Sequence, residues 1–218
     1  AYDIMPSLVG SEMCIRDREW APIGTAAASF QGTFEGNGHT ISNVDIHGSG
    51  NDTGFFGVVN GAAVQNVTLD TGTISGNKEN TGALIGRMIG STISGCTVTN
   101  ANFSTGYSSA SGVLVGANYT GKIMNCAVSY STLEGYQYVG GIAGTGYSTI
   151  TGCTVDNVQV SASYWKCGGV LGQWNEDSAT MENNHVTNSS IIGKDNLGGI
   201  VGFANYGNKK LINCTVTN

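Results

Sequence analysis

One phrase returns through the chain: a glycine, two or three apolar residues and a second glycine, as TGFFG, TGALIG, SGVLVG, GGIAG, GGVLG and GGIVG. Its closing glycines are Gly57, Gly86, Gly116, Gly144, Gly172 and Gly202, so the steps are 29, 30, 28, 28 and 30 residues. A fixed period constrains the fold before any local propensity does. Each repeat is one unit that buries its apolar face only by stacking on its neighbours. A second phrase accompanies the first, as ISNVDI, VQNVTL, ISGCTV, IMNCAV, ITGCTV, MENNHV and LINCTV, starting at residues 41, 64, 93, 123, 150, 181 and 211.

Which repeat architecture carries such a period follows from composition. Helical repeats need long amphipathic stretches, and 34 glycines with many β-branched residues forbid them. Leucine-rich repeats share the length, but the chain has only eight Leu. Calcium-binding nonapeptide repeats need an Asp in each short unit, and that column is missing. An all-β parallel β-helix, or β-solenoid, remains. Each coil holds 28–30 residues and three short strands, and six to seven coils stack at about 4.8 Å.

The second phrase reads residue by residue. In ISGCTV the apolar residues are Ile93, Cys96 and Val98. Cys96 and Val98 alternate inward as on a strand, whereas Ile93 lies an odd step away, so the chain bends between them. The third position is Asn43, Asn66, Gly95, Asn125, Gly152, Asn183 or Asn213. These two residue types most readily take the left-handed conformation, which marks the column as a corner. The next position is Val44, Val67, Cys96, Cys126, Cys153, Asn184 and Cys214. Cys exchanges with Val there, as expected of a buried thiol acting as a small apolar residue. A disulfide between coils meets side chains that point the same way. A metal would want Cys or His close in sequence, so no metal or other cofactor is expected.

The first eighteen residues, AYDIMPSLVGSEMCIRDR, lack the pattern. They resemble translated sequencing-adapter read-through, and residues 1–18 are set aside as an artefact or a disordered terminus, which excludes Cys14 from any mechanism. Residues 19–40 read as a lead-in or cap, and residues 41–218 as solenoid repeats cut off before the seventh coil is complete.

The glycine-bounded units and the Asn/Gly-Cys-x-Val phrase resemble the GLUG-type repeats of bacterial surface and adhesin-like proteins. The resemblance covers residues 19–218, including the opening EWAPIGTAAASFQGTFEGNGHTISNVDI. It implies an extracellular or cell-surface protein, secreted, with a structural or adhesive role and further domains on the same chain.

Candidate chemistry is sparse. The net charge of −6 comes from scattered residues with no basic run to neutralise phosphates, so nucleic acid is not an expected partner. No apolar run approaches the ~20 residues of a membrane helix. Asp70 and Asp156 follow the apolar strand position in coils separated by two others, and Glu176 with Asp177 shares one long turn. Paired carboxylates in one cleft are what glycoside hydrolysis requires. No catalytic residue is therefore assigned, and the runner-up reading is a polysaccharide lyase or glycoside hydrolase whose site lies partly outside this chain. His39, His47 and His185 are isolated, and a structural hydrogen bond is expected of each.

A binding role draws more support. Tyr119, Tyr147, Trp174 and Tyr206 follow the closing glycines by three, three, two and four residues. Stacked coils would align them into a strip, which either covers the turn backbones and stabilises the stack or contacts glycans or host or cell-surface proteins. A second strip would run through Tyr107, Tyr136, Tyr138, Tyr164 and Trp165. Outward Thr-x-Thr pairs occur at Thr97 with Thr99 and Thr215 with Thr217, but with Asp45/His47, Thr68/Asp70, Ala127/Ser129, Thr154/Asp156 and His185/Thr187 elsewhere the ladder is too irregular for an ice-binding face. The expected function is a non-catalytic stalk or adhesive module.

Overall fold

A computed structural model describes residues 20–147, 149–175, 179–205 and 207–218. Residues 1–18 and the pair Glu176 and Asp177 lie outside these. Among the described residues there is no helix, and every strand pairing is parallel. The chain winds as a β-solenoid of about six turns, with a first sheet of seven strands, a second of thirteen and a third of six. The rungs of the first sheet are Thr33–Glu35, Ala63–Gln65, Thr92–Ser94, Lys122–Met124, Thr149–Thr151, Thr180–Glu182 and Lys210–Ile212. Those of the third are Phe56–Asn60, Ile85–Ile89, Val115–Tyr119, Ala143–Gly146, Leu171–Trp174 and Val201–Ala204.

The interior is a set of apolar columns, one residue per coil. Val64, Ile93, Ile123, Ile150 and Met181 stack from the first sheet, and Leu69, Val98, Val128, Val155 and Val186 from the second. These side chains are almost fully removed from water, each worth about 1.5–3 kcal/mol by burial alone. Between the two columns lies the corner. Asn66, Gly95, Asn125, Gly152, Asn183 and Asn213 all have φ between 49° and 66°. In the first four of these coils Asn and Gly alternate, and the two glycines fit for a steric reason. A Cβ on Gly95 would sit 2.5 Å from Asn66 Oδ1, and one on Gly152 would strike Asn125 Oδ1. The Asn side chain of one coil thus occupies the space that a bare Gly leaves in the next.

Strand register corrects the first repeat. Ile41 pairs with Leu69, not Val64, so ISNVDI belongs one corner further on than the phrase it resembles. Asn43 is left-handed, but it shares its corner with Asn100, Tyr130, Asn157 and Asn188. The position equivalent to Val64 is Phe34, in the strand that pairs with Ala63–Gln65. Ile23 and Phe30 bridge to Phe56 and Val59, so PIG occupies the place of a glycine-bounded unit. The stack therefore begins before residue 41, within the lead-in segment. Trp20 closes it by lying flat on Phe55 at 4.4 Å and donating from Nε1 to the Phe55 carbonyl at 2.9 Å. The outward pair of the first rung is likewise Thr40/Ser42, and Asp70, Ala127, Asp156 and His185 still interrupt that ladder.

Cys96, Cys126 and Cys153 are buried free thiols, and Cys214 is a half-buried one. Each donates weakly to the carbonyl two residues before it, at 3.4, 3.3, 3.6 and 3.5 Å. The neighbouring thiols of Cys153 and Cys96, together with burial, push Cys126 well above the ordinary thiol range. Asn184, fully buried in the same column, is satisfied by accepting from Cys153 N at 3.0 Å and donating to Ile150 O at 2.8 Å. Cys167 lies outside the column, and burial raises its thiol to about 12.

The glycine-bounded phrase is where backbone meets backbone. A Cβ on Gly112 would strike the Val115 carbonyl and stand 2.7 Å from Ala143 Cα. One on Gly116 would lie 2.5 Å from Thr81 N and 2.6 Å from Gly86 O. The same clash with an adjacent coil recurs from Gly82 to Gly202, so the phrase is conserved from coil to coil by close approach. Gly116→Ala is expected to cost about 3 kcal/mol or more, since the atoms it meets are main chain. Cys126→Val, which restores the residue found at Val67, is expected to stay within about 1 kcal/mol of the parent. Urea midpoints of the two variants check both.

Candidate binding groove

The third sheet decides what each aromatic residue can do. Along its rungs, side chains alternate between core and solvent. Two residues past the closing glycine the chain points inward, through Val59, Met88, Asn118, Gly146, Trp174 and Ala204 in register. Three residues past it the chain points outward, through Asn60, Ile89, Tyr119, Tyr147, Asn175 and Asn205. Trp174 is therefore a core residue, 1% exposed, and the expected four-residue strip is corrected at this position. Its indole fits because the coils on either side offer only Gly146 and Ala204. Tyr206 lies outside the described residues. Tyr119 and Tyr147 do form a strip, 38% and 36% exposed, with centroids 5.4 Å apart and planes 20° from parallel. Burial is the main cause that raises the Tyr119 hydroxyl pKa above its ordinary value.

A second outward column of the same sheet runs Val58, Arg87, Ala117, Thr145, Gln173 and Phe203. Beside it the end of the second sheet supplies Asp52, Asn80, Ala110, Tyr138 and Lys166. The closing glycines bring these columns together. Cβ atoms on Gly116, Gly144 and Gly172 would come within 2.9, 2.8 and 2.6 Å of the carbonyl carbons of Asn80, Ala110 and Tyr138. Small residues in the middle coils leave a depression of about 380 Å³. Ala110 and Thr145 lie low in it, Tyr119, Tyr147 and Tyr138 flank it, and Asn80, Gln173, Asn175 and Asn205 complete its lining with Ser109.

Charge is kept to the margins of this groove. At one end Asp52 accepts from Arg87 Nη2 at 2.8 Å and from Asn80 Nδ2 at 2.7 Å. At the other end Lys166 lies half-buried against the Tyr138 and Phe203 rings, and burial lowers its pKa. Between them the amides interlock. Asn175 donates from Nδ2 to Thr145 Oγ1 at 3.0 Å and accepts from Asn205 Nδ2 at 2.7 Å and from Gln173 Nε2.

The second expected strip is a ladder of stacked rings beside the groove. Tyr107 meets Tyr136 edge-on at 5.5 Å, Tyr136 lies flat on Tyr164 at 5.1 Å, and Tyr164 on Trp165 at 4.5 Å. Tyr136, Tyr164 and Trp165 lie face to face, while Tyr107 at the end of the ladder stays exposed. Tyr138 leaves the ladder and turns toward the groove through a left-handed backbone, φ 52°.

The carboxylates singled out from sequence are engaged elsewhere. Asp70 accepts from Asn100 Nδ2 at 2.8 Å. Asp156 accepts from Thr187 Oγ1 at 2.6 Å and from the Asn188 and Asn157 amides, and these bonds, the Thr187 one foremost, lower its pKa. His47 Nδ1 lies 2.8 Å from Ser75 Oγ and His185 Nδ1 2.7 Å from Thr215 Oγ1. His39 takes part through its main chain, which donates to Gly36 O. Among the described residues no group of three or more His, Cys, Asp or Glu is placed to hold a metal ion. None of their helices could cross a membrane, since there are none.

No family model matches the chain, and no solved structure matches it. A stretch of 72 residues, 32% of the chain, is 39% identical to Halomucin of Haloquadratum walsbyi. The match spans 1% of the length of that protein.

Trp174→Ala is expected to cost about 3–5 kcal/mol, as for a large aromatic removed from a core. Tyr147→Ala, on the surface, is expected to cost under about 1.5 kcal/mol. Chemical denaturation of the two variants separates core from surface.

Proposed function

We propose that the chain is a non-catalytic, extracellular structural or adhesive module of a larger surface protein, which meets glycans through the groove of the third sheet. The observation that carries this reading is the lining. Three tyrosines, four carboxamides and two hydroxyl residues converge there, and no described lining residue is Asp, Glu, Lys, Arg or His. Hydrolysis of a glycosidic bond needs two carboxylates across the bond. A polyhydroxyl ligand needs fixed hydrogen-bonding groups in a concave site instead. The GLUG-type resemblance supports a surface role, and the stretch shared with Halomucin is compatible with an extracellular setting.

Affinity electrophoresis of the whole chain in gels containing soluble β-1,4-glucan, α-mannan or polygalacturonate tests the reading, alongside assays for reducing ends and unsaturated products. Retention by a neutral polysaccharide without cleavage is the expected result. New reducing ends or unsaturated uronates would establish the carbohydrate-active alternative. Retention by none of the three would remove the groove from the adhesive reading and leave a stalk.

A further inference from the structure

Lys166 stands beside the groove in a backbone conformation that its side chain disfavours. Its φ is 48°, left-handed, which costs a residue other than Gly or Asn about 1–2 kcal/mol unless the surroundings hold it. Its Nζ lies 4.2 Å from the Phe203 ring centroid, 4.8 Å from that of Tyr138 and 5.9 Å from that of Trp165. No described carboxylate pairs with it, and its hydrogen bond goes to Gln173 Oε1 at 3.3 Å. Three rings and one amide oxygen therefore face a half-buried cation.

An ammonium group has donors and no acceptor, so the oxygen of the Gln173 amide must face it. That fixes the sense of the next bonds. Gln173 Nε2 is turned to Asn175 Oδ1, which also accepts from Asn205 Nδ2. Asn175 Nδ2 is left to donate to Thr145 Oγ1. One charge thus orients three amides on two successive coils, and each of the three amide nitrogens keeps a second hydrogen. The groove is furnished with N–H donors of set direction. Among the described residues the cations near it are engaged: Arg87 with Asp52, Lys166 with Gln173 and the rings, and Lys209 with the Asn205 carbonyl at 2.8 Å. Bringing an anion into such a site leaves its charge uncompensated, which is costly.

We propose that Lys166 is the positioning residue of the groove: it locks the Gln173, Asn175 and Asn205 amides as donors, so that the site selects an uncharged glycan through its hydroxyl and ring oxygens. This rests on the glycan-binding reading above and adds the residue that sets its selectivity.

The test uses the whole chain with soluble β-1,4-glucan, α-mannan and polygalacturonate as probes, comparing wild type with Lys166→Met and Gln173→Glu. Lys166→Met keeps an apolar stem among the rings and frees the Gln173 amide to flip. Gln173→Glu keeps Lys166 paired and removes the nitrogen donor, so it guards against a loss that reflects folding alone. Wild type is expected to bind a neutral polysaccharide and not polygalacturonate, and each variant to bind it at least about fivefold more weakly, the loss of one oriented hydrogen bond. The Asn175 side-chain amide resonances, sharp in wild type, are expected to broaden in Lys166→Met, which a purely structural lysine would not cause. If wild type binds a neutral polysaccharide and both variants bind it equally well, the positioning role is overturned and the adhesive reading stands. Preference of wild type for polygalacturonate overturns the selectivity. Binding of no probe by wild type overturns the glycan-binding reading and the positioning role with it, and leaves the stalk.

Discussion

The structure depends on the approach of one coil's backbone to the next at the paired glycines. Side chains elsewhere in the coil can be exchanged for others of like volume, as Val67 and Cys96 show in one column. At Gly112 and Gly116 no side chain fits, because the space is filled by main-chain atoms of the adjacent coil. A parallel solenoid gains its apolar burial only when coils stack in register, and the glycines set that register. The same contact presses the end of the second sheet against the outer face of the third. Stack and groove are two consequences of one steric rule.

What the groove displays follows from strand parity within that frame. Tyr119 and Tyr147 lie three residues past their glycines and reach solvent, while Trp174, two residues past its own, enters the core. Coil-to-coil stacking also spends most aromatic surface internally: the faces of Tyr136 and Tyr164 cover each other, as do those of Tyr119 and Tyr147. Ligand contact then falls to ring edges, hydroxyls and the carboxamides of Gln173, Asn175 and Asn205. This favours hydrogen-bonded recognition of a polar ligand over stacking on an apolar one.

Much of the architecture was legible because its requirements are local. A left-handed corner favours Asn or Gly, and the column from Asn66 to Asn213 could be read from that alone. A fixed period with dense glycine leaves few folds. Reading failed where similarity of letters was followed against spacing: ISNVDI starts only 23 residues before VQNVTL, and register moves it to the next corner. Trp174 was misplaced for a related reason, since a difference of one residue past the glycine reverses the face. Lys166 gave no signal in the sequence. Its partners Tyr138, Gln173 and Phe203 are gathered from three coils, and only the register brings them together.

The measurement that bears most directly on the account is the mapping of backbone amide shifts during titration with soluble neutral oligosaccharide. Perturbations centred on Ala110, Thr145, Tyr147, Gln173 and Asn175, with the corner from Asn66 to Asn213 unmoved, are the expected result. Shifts confined to the first sheet, or to the ladder of Tyr107, Tyr136 and Tyr164, would contradict it.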